Sequence, residues 1–342
     1  MKTPGSDIDT PMASVFGTLP DGRDVLRLGL RGNGLRIHVL TLGAIVQDLR
    51  MEGVDHPLVL SAPQLAPYIG PMAYFGAMVG RFANRIGGAG FSLEGRHYSL
   101  ARNCHAQNCL HGGPEGSAHQ IWDIRAHEND KLRLGLSMPD GQSGFPGKLD
   151  VELEISICGL GLQFEITATT DRATPCSFAQ HSFYCLDNTG SIAHHQLRIA
   201  ANAYLPVNDV LIPTGEIRAV TTTEFDFRAF RSLKDVAIDH NFCLSDQRIP
   251  LRPVAWLKSE ISGLSLELAT TEPGLQVYTG HKLPRDGVIG PDGAMLPRYA
   301  GIALEPQVWP DAPNHTHFPT SILHPGETYH QITQIRLHHA GS

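Results

Sequence analysis

Helical pattern is what this sequence has least of. No segment carries an apolar stripe at i, i+3, i+4 and i+7 over three turns, which argues against a helical architecture. No apolar run is long enough to span a bilayer, and Met1 to Thr10 holds no apolar core of signal-peptide length. The expectation is a cytoplasmic protein with no membrane partner. A basic excess is also missing. Formal net charge is -7 with histidine neutral, which disfavours a nucleic-acid partner. Six cysteines in 342 residues do not make a disulfide framework. Cys158, Cys176 and Cys185 sit in or beside strand-like apolar runs, where a free thiol behaves as a small buried hydrophobe. There are 18 histidines but no HExxH. The cluster Cys104-His105 to Cys109-Leu110-His111 has no CxxC knuckle and no second ligand pair, so zinc is the minor reading there.

What is present is short strands and turns. The chain carries 35 glycines and 24 prolines spread along its length. Leu26, Leu28 and Leu30 alternate, Gly32-Asn33-Gly34 turns, and Leu35, Ile37 and Val39 alternate again, which predicts a hairpin. Leu132, Leu134 and Leu136 repeat the pattern. Leu149 to Ile157 and Leu162 to Ile166 flank Gly159-Leu160-Gly161 in the same way. Leu264 to Leu268 and Leu275 to Val277 predict a further pair about Glu272-Pro273-Gly274, and Tyr329 to Leu337 a last strand. This is the pattern of an all-β antiparallel sandwich or barrel. No repeat of fixed period supports a propeller. No linker or composition break appears, so one domain is expected over 15–340, with 1–14 frayed.

Several stretches can carry chemistry. Ile302 to Leu304 is an apolar run that delivers one carboxylate, Glu305. It is expected to stop at Pro306, since proline lacks a donor and ends regular pairing. Trp309-Pro310-Asp311-Ala312-Pro313-Asn314 then reads as a stiff polar loop. A carboxylate held at such a strand end suits a base; a Glu that merely pairs with a nearby Arg reads as well. Gly80-Arg81-Phe82-Ala83-Asn84-Arg85-Ile86 places two guanidiniums among small and apolar residues. Arg is costly to bury unpaired, so Arg81 and Arg85 pair with carboxylates or face a polar ligand. Bracing a carboxylate inside the fold suits Arg81, whereas Asn84 and Arg85 form a donor-rich edge fit for hydroxyls. His111 ends a polar loop before Gly112-Gly113. His181 stands beside Phe183 and Tyr184, and imidazole is the side chain suited to proton transfer near neutral pH. Asp239-His240 opens a strand-like run, and Gln276 lies in Leu275-Gln276-Val277-Tyr278.

In order along nearly the whole chain, these stretches resemble the aldose 1-epimerase (mutarotase) family. The motifs are Gly80 to Ile86, Asn108-Cys109-Leu110-His111-Gly112-Gly113, Leu211-Ile212-Pro213-Thr214-Gly215 with Phe225-Asp226-Phe227, Asp239-His240, Gln276 to Gly280, and Leu304-Glu305-Pro306-Gln307 with Pro310 to His315. The resemblance implies a large antiparallel β-sandwich of the galactose mutarotase type with a shallow sugar cleft. It implies Glu305 as catalytic base and His181 as catalytic acid, with Asn84, Arg85, His111, Asp239 and Gln276 contacting the sugar. The chain departs from the family at Phe183-Tyr184, where Tyr-Phe is commoner, and at Trp309, where Phe or Tyr is commoner. Both bear on which sugar fits.

The implied reaction interconverts the α and β anomers of a free aldohexose such as galactose or glucose. One group takes the proton of the C1 hydroxyl and another protonates the ring oxygen; they exchange roles on reclosure. Protonated His181 is expected to be favoured by Asp239 or Glu305. No metal and no cofactor is needed, and the expected partner is a small monosaccharide, with the protein a monomer or homodimer. The alternatives are a sugar-binding or sensing domain without chemistry, and a hexose-6-phosphate epimerase on the same fold. The latter calls for further Arg or Lys facing the cleft.

Overall fold

The computed structural model describes residues 12–283 and 295–339. Most of the frayed segment expected at 1–14 lies outside the described residues. Ala13 and Ser14 do not: they already belong to strand Ala13–Thr18, which pairs with Asp24–Gly32.

Three sheets carry the architecture. The largest has nine strands, and its centre is the run Lys131–Met138, Leu149–Ile157, Gly161–Thr170, Tyr329–His339, Leu264–Thr270, Arg252–Ser259. A second has four, Ala13–Thr18, Asp24–Gly32, Leu35–Leu40 and Ile45–Met51, in sequence order. The third, the site sheet, has six; its central strands are Ile302–Gln307, Gly274–Tyr278 and Asp239–Cys243. Strand pairs are antiparallel throughout the three sheets. The result is a large antiparallel β-sandwich. Alternation does the sorting, because successive side chains point to opposite faces. Leu149, Val151, Leu153 and Ile155 all face inward, as do Leu28, Leu30, Ile37 and Val39, and they join one buried cluster. Among the described residues, no helix is long and apolar enough to cross a membrane.

Two expected hairpins are observed. Leu35 pairs with Gly32, and Leu162 with Ile157. The third is not a hairpin. Leu264–Thr270 pairs with Arg252–Ser259 and Tyr329–His339 in the large sheet, whereas Gly274–Tyr278 pairs inside the site sheet. Thr271-Glu272-Pro273 is therefore a crossover between layers. Glu272 is fully buried there and meets Arg248 at 2.6 Å. Of the three cysteines placed in strand-like surroundings, Cys176 and Cys185 are buried, but Cys158 is exposed at the Ile157 to Gly161 turn.

The site sheet separates structure from chemistry by the same alternation. Ile302, Leu304, Leu275, Val277 and Phe242 face the central core. Their neighbours Glu305, Gln276, Asp239 and Asn241 therefore face the other way. Pro306 does not end its strand, which runs to Gln307, with Pro306 opposite Leu275. The strand on the far side, Phe183–Tyr184, reaches only Ile302 and Ala303. Beyond them Ile302–Gln307 has one strand neighbour, so a residue with no N–H is tolerated. The carbonyl of Pro306 accepts from Gln331 Nε2 at 3.1 Å.

Candidate active site

Seven side chains anticipated from sequence, Glu305, His181, Asn84, Arg85, His111, Asp239 and Gln276, line one cleft of about 680 Å³. That volume is in the range that holds a small ligand. Gln276 stands opposite Glu305 in the strand register, and Asn241 opposite Gln276. Asp239 lies one same-face step further along, and its Oδ1 accepts from Gln276 Nε2 at 2.7 Å. Three adjacent strands thus place a carboxylate, an amide and a second carboxylate on one face.

His181 enters from the other side. It follows strand Ala179–Gln180, and its main chain is tied at both ends: His181 N donates to Ala77 O, and Gly76 N donates to His181 O, each at 2.9 Å. Its Nε2 lies 3.5 Å from Glu305 Oε1. His111 closes the group, with its ring 5.3 Å from that of His181. Asn84 N donates to His111 Nδ1 at 3.1 Å, so the neutral ring carries its proton on Nε2. The glycines after it are needed for packing. Gly112 has φ +82°, and a Cβ there would collide with the main-chain oxygen of Gly80. Asn84 Oδ1 in turn accepts from Arg85 N at 2.8 Å and from Arg85 Nη1 at 3.3 Å. Asp311 holds the same segment from outside: its N donates to Arg85 O, and its Oδ1 accepts from Gly87 N, both at 2.9 Å.

Burial sets the electrostatics. Glu305 and His181 are only 2 % and 8 % exposed. Loss of water disfavours charge on each. It raises the Glu305 carboxyl well above its ordinary range, with Asp239 adding to the rise and Arg85 opposing it. It lowers His181 to about 4, although a backbone hydrogen bond and Asp239 pull upward. The expectation that a carboxylate would keep His181 protonated therefore does not hold, because desolvation outweighs the pull of Asp239. His111 is lowered well below the usual imidazole range, by burial first and by His181 and Arg85 next.

Arg81 is not among the residues lining the cleft and, among the described residues, pairs with no carboxylate. It is fully buried, and its guanidinium donates to the carbonyls of Pro146, Gly147, Met138 and Pro139 at 2.8 to 3.3 Å. The sequence reading missed Tyr74 and Lys282, which also line the cleft. Tyr74 packs on His111 with centroids 4.7 Å apart and lies nearly parallel to His181 at 6.5 Å. Its signal was slight: one aromatic beside Phe75 in a loop.

Among the described residues, two groups of three ligand-type side chains converge within 4.8 Å: His111, His181 and Glu305, and Cys185, Asp187 and His195. Neither presents a free imidazole lone pair on every ring. His111 Nδ1 and His195 Nε2 already accept main-chain N–H bonds, from Asn84 at 3.1 Å and Leu186 at 2.8 Å. Each neutral ring thus turns an N–H, not a lone pair, toward its cluster. Cys104 and Cys109 join no such group.

The comparisons agree with this geometry. The aldose 1-epimerase family profile matches residues 26–336. Galactose mutarotase of Bos taurus is 38% identical over 338 residues, spanning 95% of this chain and 97% of its own length. Aldose 1-epimerase of Escherichia coli is 30% identical over 337 residues, spanning 93% of this chain and 96% of its own. The crystal structure of an aldose epimerase homologue from C. elegans superposes with a TM-score of 0.86 at 27% identity, covering 93% of this chain and 100% of that one. With a shared profile, shared length and shared fold, the chain belongs to the aldose 1-epimerase family.

Proposed function

We propose that the chain is an aldose 1-epimerase that interconverts the anomers of a free aldohexose, with Glu305 and His181 exchanging one proton with the sugar. The observation that carries this reading is the 3.5 Å approach of His181 Nε2 to Glu305 Oε1 on the wall of a sugar-sized cleft. Glu305 as carboxylate takes the proton of the C1 hydroxyl while protonated His181 gives its proton to the ring oxygen. The C1–ring oxygen bond breaks and an open-chain aldehyde forms. After rotation about C1–C2 the ring oxygen attacks the other face, and both protons return. The pair needs one proton in total. The neutral pair and the ion pair hold that same proton, so the working form is reached by a short transfer between partners. His111 Nε2–H and Arg85 face the sugar as donors, and Asp239 and Gln276 fix its orientation. Fresh α-galactose and α-glucose followed by initial-rate polarimetry test the reading. A spontaneous rate unchanged by the protein would leave a binding domain without chemistry.

Among the described residues, Arg85 and Lys282 are the two Arg or Lys side chains lining the cleft, which gives an anionic sugar a second place. Running hexoses and their 6-phosphates side by side decides between them. A preference for the phosphate would overturn the free-sugar assignment.

Two further results are expected. Since burial holds His181 at about 4, kcat/KM is expected to stay flat from about pH 7 down to about 5. It should fall only as a second proton joins the pair. An inflection near 6.5, where an ordinary imidazole titrates, would mean that His181 is hydrated in the working protein. Asp239→Ala removes the acceptor of Gln276 and one sugar-facing carboxylate. Its KM is expected to rise roughly tenfold or more, the order of one lost charged hydrogen bond. A variant with unchanged KM would remove Asp239 from the sugar site.

A further inference from the structure

The segment that carries Glu305 also reaches Arg85, through a carboxylate that the reaction itself does not use. Six residues after Glu305 the chain arrives at Asp311. The path between them is pinned: Val308 N donates to Ser177 Oγ at 3.2 Å, and Trp309 Nε1 to Pro273 O at 2.9 Å. Asp311 is 4 % exposed and holds φ +60°, a left-handed conformation that Asp and Asn adopt more readily than other non-glycine residues.

Its contacts complete the edge of a short strand. Arg85–Ile86 pairs with Cys109–Leu110 on one side. On the other side Asp311 N donates to Arg85 O, and Gly87 N donates to Asp311 Oδ1, each at 2.9 Å. The side chain thus stands in for the main-chain carbonyl of a third strand. Asn314 Nδ2 also donates to Oδ1, at 2.7 Å, and to Gly90 O at 3.0 Å. His315 Nε2 lies 3.2 Å from Oδ2, and its ring stacks on Phe318 with centroids 4.5 Å apart. Gly87 leaves room for this: a Cβ there would sit 3.3 Å from Asp311 Oδ2 and 3.1 Å from Ile212 Cγ2. The carboxylate is held by Asn314 and His315, and it holds Gly87 and the Arg85 main chain in turn.

We propose that Asp311 is a positioning residue for sugar binding, fixing the Arg85 main chain relative to the Glu305 strand so that guanidinium and base meet the same sugar. The assignment rests on the reading of Arg85 as a sugar-facing donor. Misplacing a group that orients substrate by about 1 Å can cost roughly 10²-fold in rate. Two hydrogen bonds from one buried residue, on the segment that also bears the base, set that distance.

Asp311→Ala removes the acceptor of Gly87 N–H. Its KM for galactose is expected to rise roughly tenfold, with kcat within about threefold of wild type. Asp311→Asn keeps an acceptor on a residue that tolerates the left-handed conformation, and should recover most of the KM. In the Arg85→Met background, Asp311→Ala should raise KM by less than about twofold more, because the donor it positions is gone. Equal losses in both backgrounds, a wild-type KM for Asp311→Ala, or an Asn variant as poor as the Ala one would each overturn the proposal. Should Asp311→Ala fail to fold, Gly87→Pro carries the test. It removes the N–H that Asp311 accepts, and proline suits the first position of the Gly87–Ala89 turn. Its KM should rise likewise and add little to Arg85→Met; a wild-type KM, or full additivity, would overturn the proposal. Failure of the Arg85 reading shows separately, as Arg85→Met at wild-type KM.

Discussion

Glu305→Gln is expected to lower the rate of anomer interconversion by roughly 10²–10⁴-fold, the range for loss of one positioned proton carrier. The amide is nearly isosteric, so the strand register and the cleft should survive, and sugar affinity should change little. Glutamine can neither take the C1 proton nor share one with His181, 3.5 Å away. Because the two act through one proton, His181→Asn should cost about as much, and the double variant hardly more than either alone. Polarimetry with fresh α-galactose measures the rate, and isothermal titration the affinity. Near wild-type turnover by Glu305→Gln would end the assignment. Full additivity of the two losses would mean that each acts alone. The substitution also relieves the protein of a group whose ionisation burial opposes, so the unfolding midpoint should not fall. A variant both dead and unstable would point to a structural Glu305.

The contrast between what could be read from residue order and what could not follows from the range of each interaction. Alternation is local. The leucines at 26, 28 and 30 and the run from Leu149 to Ile166 announce their strands because each side chain's face is set by its neighbours. Thr271 to Gly274 looks like a hairpin turn for the same reason, yet it joins two layers; a short Pro-Gly connection does not say which sheet follows. Pro306 misleads similarly. Its effect depends on whether a second strand lies alongside, and that depends on where Phe183–Tyr184 stops. The candidate site was legible by resemblance: its seven residues come from six separate stretches and still meet in one cleft. Nothing in their spacing gives the distance between Glu305 and His181. The proton affinities were not legible either. His181 has a carboxylate beside it, which in water would favour its charge, and only the depth of burial reverses that. Tyr74 escaped because a lone tyrosine in a loop has no pattern to betray it.

Arg81 is the clearest case of a partner that has no letter in the sequence, and Arg81→Met is expected to have the largest effect on folding. The guanidinium was expected to meet a carboxylate. It meets four main-chain carbonyls, Met138, Pro139, Pro146 and Gly147, with Thr174 Oγ1 at 3.4 Å and the Phe145 ring 5.7 Å away. A planar fork with five donors can gather carbonyls from two segments and a hydroxyl from a third at once; an ammonium cannot. Burial lowers its proton affinity to about 10, which still leaves it charged at neutral pH. Methionine fills much of the volume and orphans the carbonyls. The loss should be roughly 3–5 kcal/mol, since one partner of a buried charged network is removed. In urea, Cm should drop sharply with little change in m. Arg81→Lys should recover only part of it. Arg85→Met, four residues on, is the matched control: Arg85 faces the cleft, so sugar affinity should fall while Cm holds. An Arg81→Met variant with wild-type Cm would mean that the 138–147 loop finds other donors. The two arginines look alike in the motif, and their variants should separate cleanly because one holds the loop that backs the site and the other holds the sugar.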